Sequence, residues 1–129
     1  MNRNLLLSGA FFGMIAIILG AFATHGLKPL LTAESIATFE TGVKYQMYSA
    51  LFMLILGGLP LASEKVKRTC FYLTTIGILF FSGSIYFLAT NSLTTFDFRA
   101  IALITPLGGT LLISAWIVLL ISFIKLKKK

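Results

Sequence analysis

The chain has 129 residues, of which 57% are hydrophobic, and its mean hydropathy is +0.94. This composition leaves too few polar side chains to cover a water-facing surface, which excludes an ordinary soluble domain and favours a protein embedded in lipid. The net charge of +7 comes from lysines and arginines that flank apolar stretches without a groove-reading motif, so nucleic-acid binding is not expected. One cysteine and one histidine are too few for an internal disulfide or a zinc site, and we expect no metal and no cofactor.

Four apolar stretches are long enough, or nearly so, to cross a hydrocarbon core that takes about 20 helical residues. They cover residues 5–23, 45–61, 70–89 and 100–124. The sequence therefore predicts an all-α integral membrane protein, a four-helix bundle that forms a single domain over residues 1–129.

The first stretch also has features of a secretory signal peptide, because Arg3 precedes it and the triplet Ala21-Phe22-Ala23 resembles a small-residue cleavage site. A signal core has about 7–15 apolar residues, whereas this stretch continues for about 19. We therefore predict that it stays in the protein as the first span.

Small residues recur on one face of the first span at steps of four, three and four, and a second small pair lies in the fourth span. They are Gly9, Gly13, Ala16 and Gly20, followed by Gly108 and Gly109. Helices in lipid associate through close van der Waals contact at such faces. Two interpretations stay open: these residues pack the helices of one chain together, or the first-span face binds a helix of a partner or of a second copy.

The end of the first span carries the one histidine, His25, followed by Gly26. Glycine at this place is typical of a helix C-terminal cap with positive φ, and a histidine in the last turn meets free carbonyls and the negative end of the helix dipole. The alternative is ligand binding or proton exchange at the outer interface, because histidine is the side chain that changes charge near neutral pH.

The connection after the first span contains an amphipathic segment. Thr32 is suited to cap a helix, and residues 32–44 carry apolar side chains at spacings of three and four. We expect a short interfacial helix over 32–44 that lies along the outer membrane surface and bends into the second span at Gly42.

Polar side chains near the outer ends of the spans predict a polar pocket. The candidate residues are His25, Tyr45, Gln46, Tyr48, Ser49, Ser84 and Thr105. Aromatic belts and interhelical hydrogen bonds explain the same residue types without a ligand, so both interpretations stay open. Pro106 is expected to kink the fourth span by removing one helical hydrogen bond. No Ser-His-acid arrangement can be assembled around a single histidine, and we expect no enzyme activity.

An even number of spans places both termini on one side of the membrane. The positive residues on that side are Arg3, Lys65, Lys67, Arg68, Lys125, Lys127, Lys128 and Lys129. The other side carries only Lys28, Lys44 and Arg99. Because short positively charged loops stay in the cytoplasm, we predict a multi-pass protein of the bacterial inner membrane with both termini cytoplasmic.

Four segments of the chain resemble those of one known family. They are Gly20-Ala21-Phe22-Ala23-Thr24-His25-Gly26-Leu27, Tyr45-Gln46-Met47-Tyr48, Phe81-Ser82-Gly83-Ser84-Ile85-Tyr86 and Thr105-Pro106-Leu107-Gly108-Gly109. On these segments the chain resembles the domain-of-unknown-function 423 family of small inner-membrane proteins, which includes YgdD-like proteins and the eukaryotic transmembrane protein 256. The resemblance implies a four-span membrane protein without an established activity. That family often has a second histidine where this chain has Ser49.

Two functions follow as hypotheses. The first is a non-enzymatic structural or accessory subunit of a membrane assembly, whose partner in the bilayer is another membrane protein or a second copy. This hypothesis is favoured by the small size, the glycine-lined faces and the missing catalytic groups. The second is a lipid, quinone or small-solute binding or transport protein that uses a pocket around His25, Gln46 and Tyr48.

Overall fold

The computed structural model describes residues 2–95, 97 and 101–126. Within these ranges the chain is all-helical, as the sequence predicts. The four α-helices are α1 (Arg3–Phe22), α2 (Ala33–Gly58), α3 (Glu64–Ala89) and α4 (Ile104–Ile124). A π-helical turn, Ala23–Leu27, extends α1, and a 3-10 turn, Asn91–Leu93, follows α3.

The side chain of the residue just before the helix caps the N-terminus of three of these helices. Asn2 Oδ1 accepts a hydrogen bond of 3.0 Å from the backbone N–H of Leu5 at the start of α1. Thr32 and Ser63 bond in the same way to N–H groups in the first turns of α2 and α3. Each cap satisfies one of the N–H groups that a helix start leaves free, so the predicted role of Thr32 is confirmed.

Among the described residues, three helical segments are long and apolar enough to cross a membrane. Arg3–Leu27, Glu64–Ala89 and Ile104–Ile124 have mean hydropathies of 2.4, 1.6 and 2.3. The second helix, α2, is not among them, because Lys44, Gln46 and other polar side chains lower its hydropathy. It lies instead in the middle of the bundle, where it packs against α1 and α3.

Burial separates two inner helices from two outer ones. Nine residues are buried in α2 and nine in α3, against three in α1 and three in α4. Extensive contacts join α1 to α2, α2 to α3 and α3 to α4. Between α2 and α4 the rings of Phe52 and Trp116 meet, with centroids 4.6 Å apart. The outer faces of α1 and α4 are therefore left to lipid.

The predicted interfacial helix and the predicted second span form one continuous helix, α2, without a break at Gly42. Gly42 serves close packing instead. A Cβ atom added to it would lie 2.7 Å from Tyr86 Cε1 and 3.0 Å from Ile85 Cγ2 of α3. Because α3 packs against this part of α2, the first half of α2 is held in the bundle, which explains why it does not bend away along the surface.

The predicted helix end at Gly26 is wrong. None of the glycines that the structure describes has a positive φ, and the chain stays helical through the π-helical turn to Leu27. The reason is packing: Ala23 and Leu27 are buried in a cluster with Phe39 of α2 and Ala89 of α3. These contacts hold the turn in helical geometry where the sequence favours a cap.

The predicted kink at Pro106 is also wrong, because α4 begins at Ile104 and Pro106 lies in its first turn. The N–H groups of a first turn have no partner within the helix, so proline removes no hydrogen bond there. Position 100, where the sequence placed the start of this span, lies outside the described residues.

Glycines occupy the points where helices cross most closely. A Cβ atom on Gly9 would lie 2.8 Å from the carbonyl oxygen of Ala50 in α2, and Gly13 and Gly20 face Ala50 and Val43 of the same helix. At the crossing of α3 and α4, a Cβ atom on Gly108 would overlap backbone atoms of Phe81 and Phe80. The small-residue face of α1 thus lies against α2 of its own chain, and close van der Waals contact holds both crossings.

Gly108→Ala is expected to lower the free energy of unfolding by about 1–3 kcal/mol, because the new methyl group meets backbone that cannot move aside. Gly83→Ala on α3 is the matched control, since nothing lies within 4 Å of its added methyl group. Alanine also favours a helix over glycine, so this control keeps or gains stability. Unfolding by SDS titration in mixed micelles measures both changes. Equal effects of the two substitutions would contradict the close contact at Gly108.

Candidate functional site

The interior of the bundle contains a glutamine that bridges three helices. Gln46 of α2 is 3% exposed. Its Nε2 donates a 2.8 Å hydrogen bond to the carbonyl oxygen of Phe12 in α1, and its Oε1 accepts one of 2.6 Å from the Tyr86 hydroxyl of α3. An amide in hydrocarbon is costly without partners, so these bonds hold α1, α2 and α3 in one arrangement.

Hydroxyl groups add further bonds between neighbouring helices. Ser82 Oγ of α3 donates to the carbonyl oxygen of Gly42 in α2 over 2.7 Å. The hydroxyls of Ser84 in α3 and Thr105 in α4 are hydrogen-bonded to each other. Each adjacent pair of helices is thus joined by at least one side-chain hydrogen bond.

At the end of the bundle where α1 begins and α4 ends, a lysine is buried. Lys67 is 2% exposed, and its Nζ lies 3.5 Å from the carbonyl oxygen of Gly57 near the end of α2. The backbone N–H of Asn2 donates to the same oxygen over 2.8 Å. A cation at a helix C-terminus meets the negative end of the dipole. Lys67 therefore has a structural role that its place in a charged loop did not predict.

On the other side of α2, a half-open groove of about 600 Å³ lies between α2 and α4 with Phe81 of α3 at its base. We call it the aromatic groove, because five of its lining side chains are aromatic. Its lining residues are Tyr45, Tyr48, Ser49, Leu51, Phe52, Ile55, Phe81, Gly109, Leu112, Ile113 and Trp116. This lining includes no histidine, cysteine or carboxylate.

Polar groups of the aromatic groove are confined to one end. Tyr45, Tyr48 and Ser49 share a face of α2, and the ring of Tyr45 packs edge-on against those of Tyr48 and Phe81 at 5.6 and 5.3 Å. Among the described residues, none of these three hydroxyls has a hydrogen-bond partner. The groove continues to Ile55, ten positions and about 15 Å further along the helix, between apolar walls.

The residues of the predicted polar pocket separate into distinct places. Tyr45, Tyr48 and Ser49 line the aromatic groove together. Gln46, Ser84 and Thr105 take part in interhelical hydrogen bonds, and His25 is exposed on the π-helical turn and does not line the groove. The helical period explains the split, because neighbouring positions on α2 point about 100° apart.

Sequence reasoning missed the aromatic side of the groove, formed by Phe52, Phe81 and Trp116. Aromatic residues inside apolar spans are common in lipid-facing positions, so their spacing along separate helices carries no signal of a shared groove. Within the part of the chain that the structure describes, no three His, Cys, Asp or Glu side chains lie close enough to hold a metal ion. The one cysteine, Cys70, is buried with its Sγ 3.5 Å from the carbonyl oxygen of Ala115.

These helices and their interior hydrogen bonds define a small multi-span helical membrane protein. Residues 19–109 match the family described as a protein of unknown function (DUF423), and the chain belongs to this family. The resemblance that the sequence motifs carry is thereby confirmed.

Curated relatives match almost the whole chain. A UPF0382 membrane protein of Staphylococcus epidermidis is 37% identical over 120 residues, which cover 93% of this chain and 94% of the relative. A UPF0382 membrane protein of Haemophilus influenzae is 38% identical over 117 residues, 91% and 90% of the two chains. The UPF0382 inner membrane protein YgdD of Escherichia coli K12 is 33% identical over 132 residues, 99% and 95%. No solved structure matches.

Replacing Gln46 with Leu is expected to lower the free energy of unfolding by about 1–3 kcal/mol, because the Phe12 carbonyl and the Tyr86 hydroxyl lose their partner. Tyr86→Phe should cost about 0.6–1.7 kcal/mol, the range for hydrogen bonds between membrane helices. The double variant should lose less than the sum of the two, since both remove one shared bond.

Unfolding in micelles of the two single variants and the double variant measures this coupling. Tyr72→Phe is the control, because Tyr72 lies on the same helix and is 57% exposed. Strictly additive losses would show that Gln46 and Tyr86 do not bond to each other.

Proposed function

We propose that this chain is a non-enzymatic protein of the bacterial inner membrane that binds a membrane amphiphile of the lipid or quinone class in the aromatic groove. The ligand has a long apolar tail and one polar head with a carbonyl or hydroxyl group. A single observation carries the proposal: in the described part of the chain, an apolar groove between α2 and α4 has three hydroxyls gathered at one end that make no hydrogen bond to another side chain or to the backbone.

The size and shape of the groove support this ligand class. Small-molecule sites are mostly apolar, with a few convergent polar groups, and usually measure about 300–1,000 Å³. The aromatic groove has about 600 Å³. Tyr45, Tyr48 and Ser49 are placed to hydrogen-bond the head, and the tail runs towards Ile55 and Trp116.

The exposure of the lining supports entry from the bilayer. Tyr48, Ile55, Ile113 and Trp116 are each more than half exposed in the isolated chain, so the side of the groove opens between α2 and α4 towards lipid. A ligand dissolved in the membrane reaches the site laterally and does not cross water. The aromatic rings give it large contact surfaces with little loss of side-chain freedom.

The non-enzymatic part of the proposal rests on the chemistry of the lining. General acid-base catalysis needs a titratable side chain within hydrogen-bond reach of the reacting group. The described lining of the aromatic groove offers only tyrosine and serine hydroxyls, with no histidine, carboxylate or lysine beside them to exchange a proton with the tyrosines, and His25 is not part of it.

The main argument for the alternative, a structural or accessory subunit, no longer holds. The small-residue face of α1 that could receive a partner helix lies against α2 of the same chain. A partner would have to use another surface, such as the outer face of α4. We therefore place ligand binding ahead of assembly. The cytoplasmic position of both termini also belongs to this proposal, supported by the sequence count of eight positive residues on that side of the predicted topology against three on the other.

The single tryptophan makes ligand binding measurable, because Trp116 lines the aromatic groove. A phospholipid with brominated acyl chains and a short-chain ubiquinone both quench tryptophan fluorescence, and each is titrated into the purified protein in mild detergent. We expect saturable quenching by one of these probes at about one ligand per chain. Which probe saturates distinguishes the lipid from the quinone.

Ile113→Phe should weaken this binding about tenfold by filling the groove, whose lining includes Ile113. Ile17→Phe makes the same change at an exposed position of α1 and should leave binding unchanged. Quenching that rises linearly with both probes and is equal in the two variants would refute the ligand site. Stoichiometric self-association or a co-purifying membrane protein, together with that result, would favour the subunit hypothesis.

A further inference from the structure

A second recess lies at the end of the bundle where both termini are, along the seam between α3 and α4. It measures about 300 Å³ and shares no lining residue with the aromatic groove. Its donor groups are Lys65 and Thr69 of α3 with Ser122 and Lys125 at the end of α4, and Val118 and Ile121 contribute an apolar wall. We call it the basic recess.

The four donors of the basic recess converge because of helix geometry. Lys65 and Thr69 are four positions apart on α3, and Ser122 and Lys125 are three positions apart at the end of α4, so each pair lies on one helical face. In the described part of the chain, neither lysine has a carboxylate partner and neither hydroxyl has a hydrogen-bond partner. Two exposed lysines and two hydroxyls therefore line one recess, and no carboxylate in the described part of the chain pairs with them.

The nearest acidic side chain in the sequence does not neutralise this space. Among the described residues, Glu64 is the only acidic one near this end of the bundle, and it lines a separate recess with Asn2 and Arg68. Lys67, which lies between Glu64 and Arg68 in the sequence, is buried against the end of α2. The charge of the basic recess thus calls for an anion from outside the chain.

The apolar wall decides which anion fits. Val118 and Ile121 lie deeper along α4 than Lys125, and they continue into the apolar surface that α4 presents to lipid. We infer that the basic recess binds an anionic phospholipid, with its phosphate at Lys65, Lys125, Thr69 and Ser122 and an acyl chain along Val118 and Ile121. Basic pockets between membrane helices recognise such head groups through charge-assisted hydrogen bonds.

Native mass spectrometry of the purified protein tests this inference. Delipidated protein in mild detergent is mixed with equal amounts of dioleoyl phosphatidylglycerol and dioleoyl phosphatidylcholine, and the bound species are counted. We expect one lipid site per chain that takes phosphatidylglycerol in clear preference to phosphatidylcholine. In Lys65→Ala/Lys125→Ala the preference should fall about tenfold, because two of the charges that hold the phosphate are gone.

The matched control removes the same charge elsewhere. Lys127→Ala/Lys128→Ala removes the same number of positive charges from the C-terminal sequence and should keep the preference. Lys65→Arg/Lys125→Arg should restore most of it, which also shows that loss in the alanine variant is not unfolding. Equal losses in both alanine variants would mean diffuse attraction to the basic tail, and no preference in the unmodified protein would overturn the site.

Inorganic phosphate at millimolar concentration serves as the competitor. A lipid held by both its head and its chain should not be displaced, whereas displacement would show that the recess takes a soluble anion and would refute the lipid. The inference is independent of the proposed groove ligand, since Ile113→Phe should leave phosphatidylglycerol preference unchanged and the Lys65/Lys125 variants should leave Trp116 quenching unchanged.

Discussion

The arrangement of this bundle depends on where the side chain of Gln46 finds its partners. In hydrocarbon no water can satisfy an amide, so the bonds to the Phe12 carbonyl and the Tyr86 hydroxyl fix both the position of α2 between its neighbours and its rotation about its own axis. Rotation in turn sets the aromatic groove. With Gln46 turned towards α1 and α3, Tyr45 and Ser49 face α4.

Close packing at glycines stabilises the same arrangement of helices. Lipid is as apolar as the helices, so burying leucine away from lipid adds little to the stability of the bundle. The association of the helices depends instead on close van der Waals contact. Gly9 lets α1 approach α2, and Gly108 lets α4 approach the backbone of α3. The groove exists because the same closeness is missing between α2 and α4, where large rings such as Phe52 and Trp116 meet. Small residues thus allow the close helix crossings, and large residues leave the groove between α2 and α4.

The sequence predicted the class of fold because hydropathy and span length are properties of a segment by itself. It also identified Thr32 as a cap and the family from its motifs. It failed where contacts with neighbouring helices decide the conformation. Gly26 stays helical because Ala23 and Leu27 pack on α2 and α3, and α2 continues as one helix through Gly42, where α3 packs against it. Tyr45, Tyr48 and Ser49 line the aromatic groove and were among the predicted pocket residues, but their grouping depends on the rotation of α2, which no single segment reveals. The burial of Lys67, which the sequence showed only as a positive charge for the topology, depends in the same way on a neighbouring helix.

The most direct test of this account is the distance between Gln46 and Phe12 in a lipid bilayer. Solid-state NMR on protein labelled with ¹⁵N at the Gln46 side-chain amide and ¹³C at the Phe12 carbonyl measures it through their dipolar coupling. With Nε2 2.8 Å from the carbonyl oxygen, the account predicts a nitrogen-to-carbon distance of about 4 Å. The absence of any measurable coupling between these two atoms would contradict it.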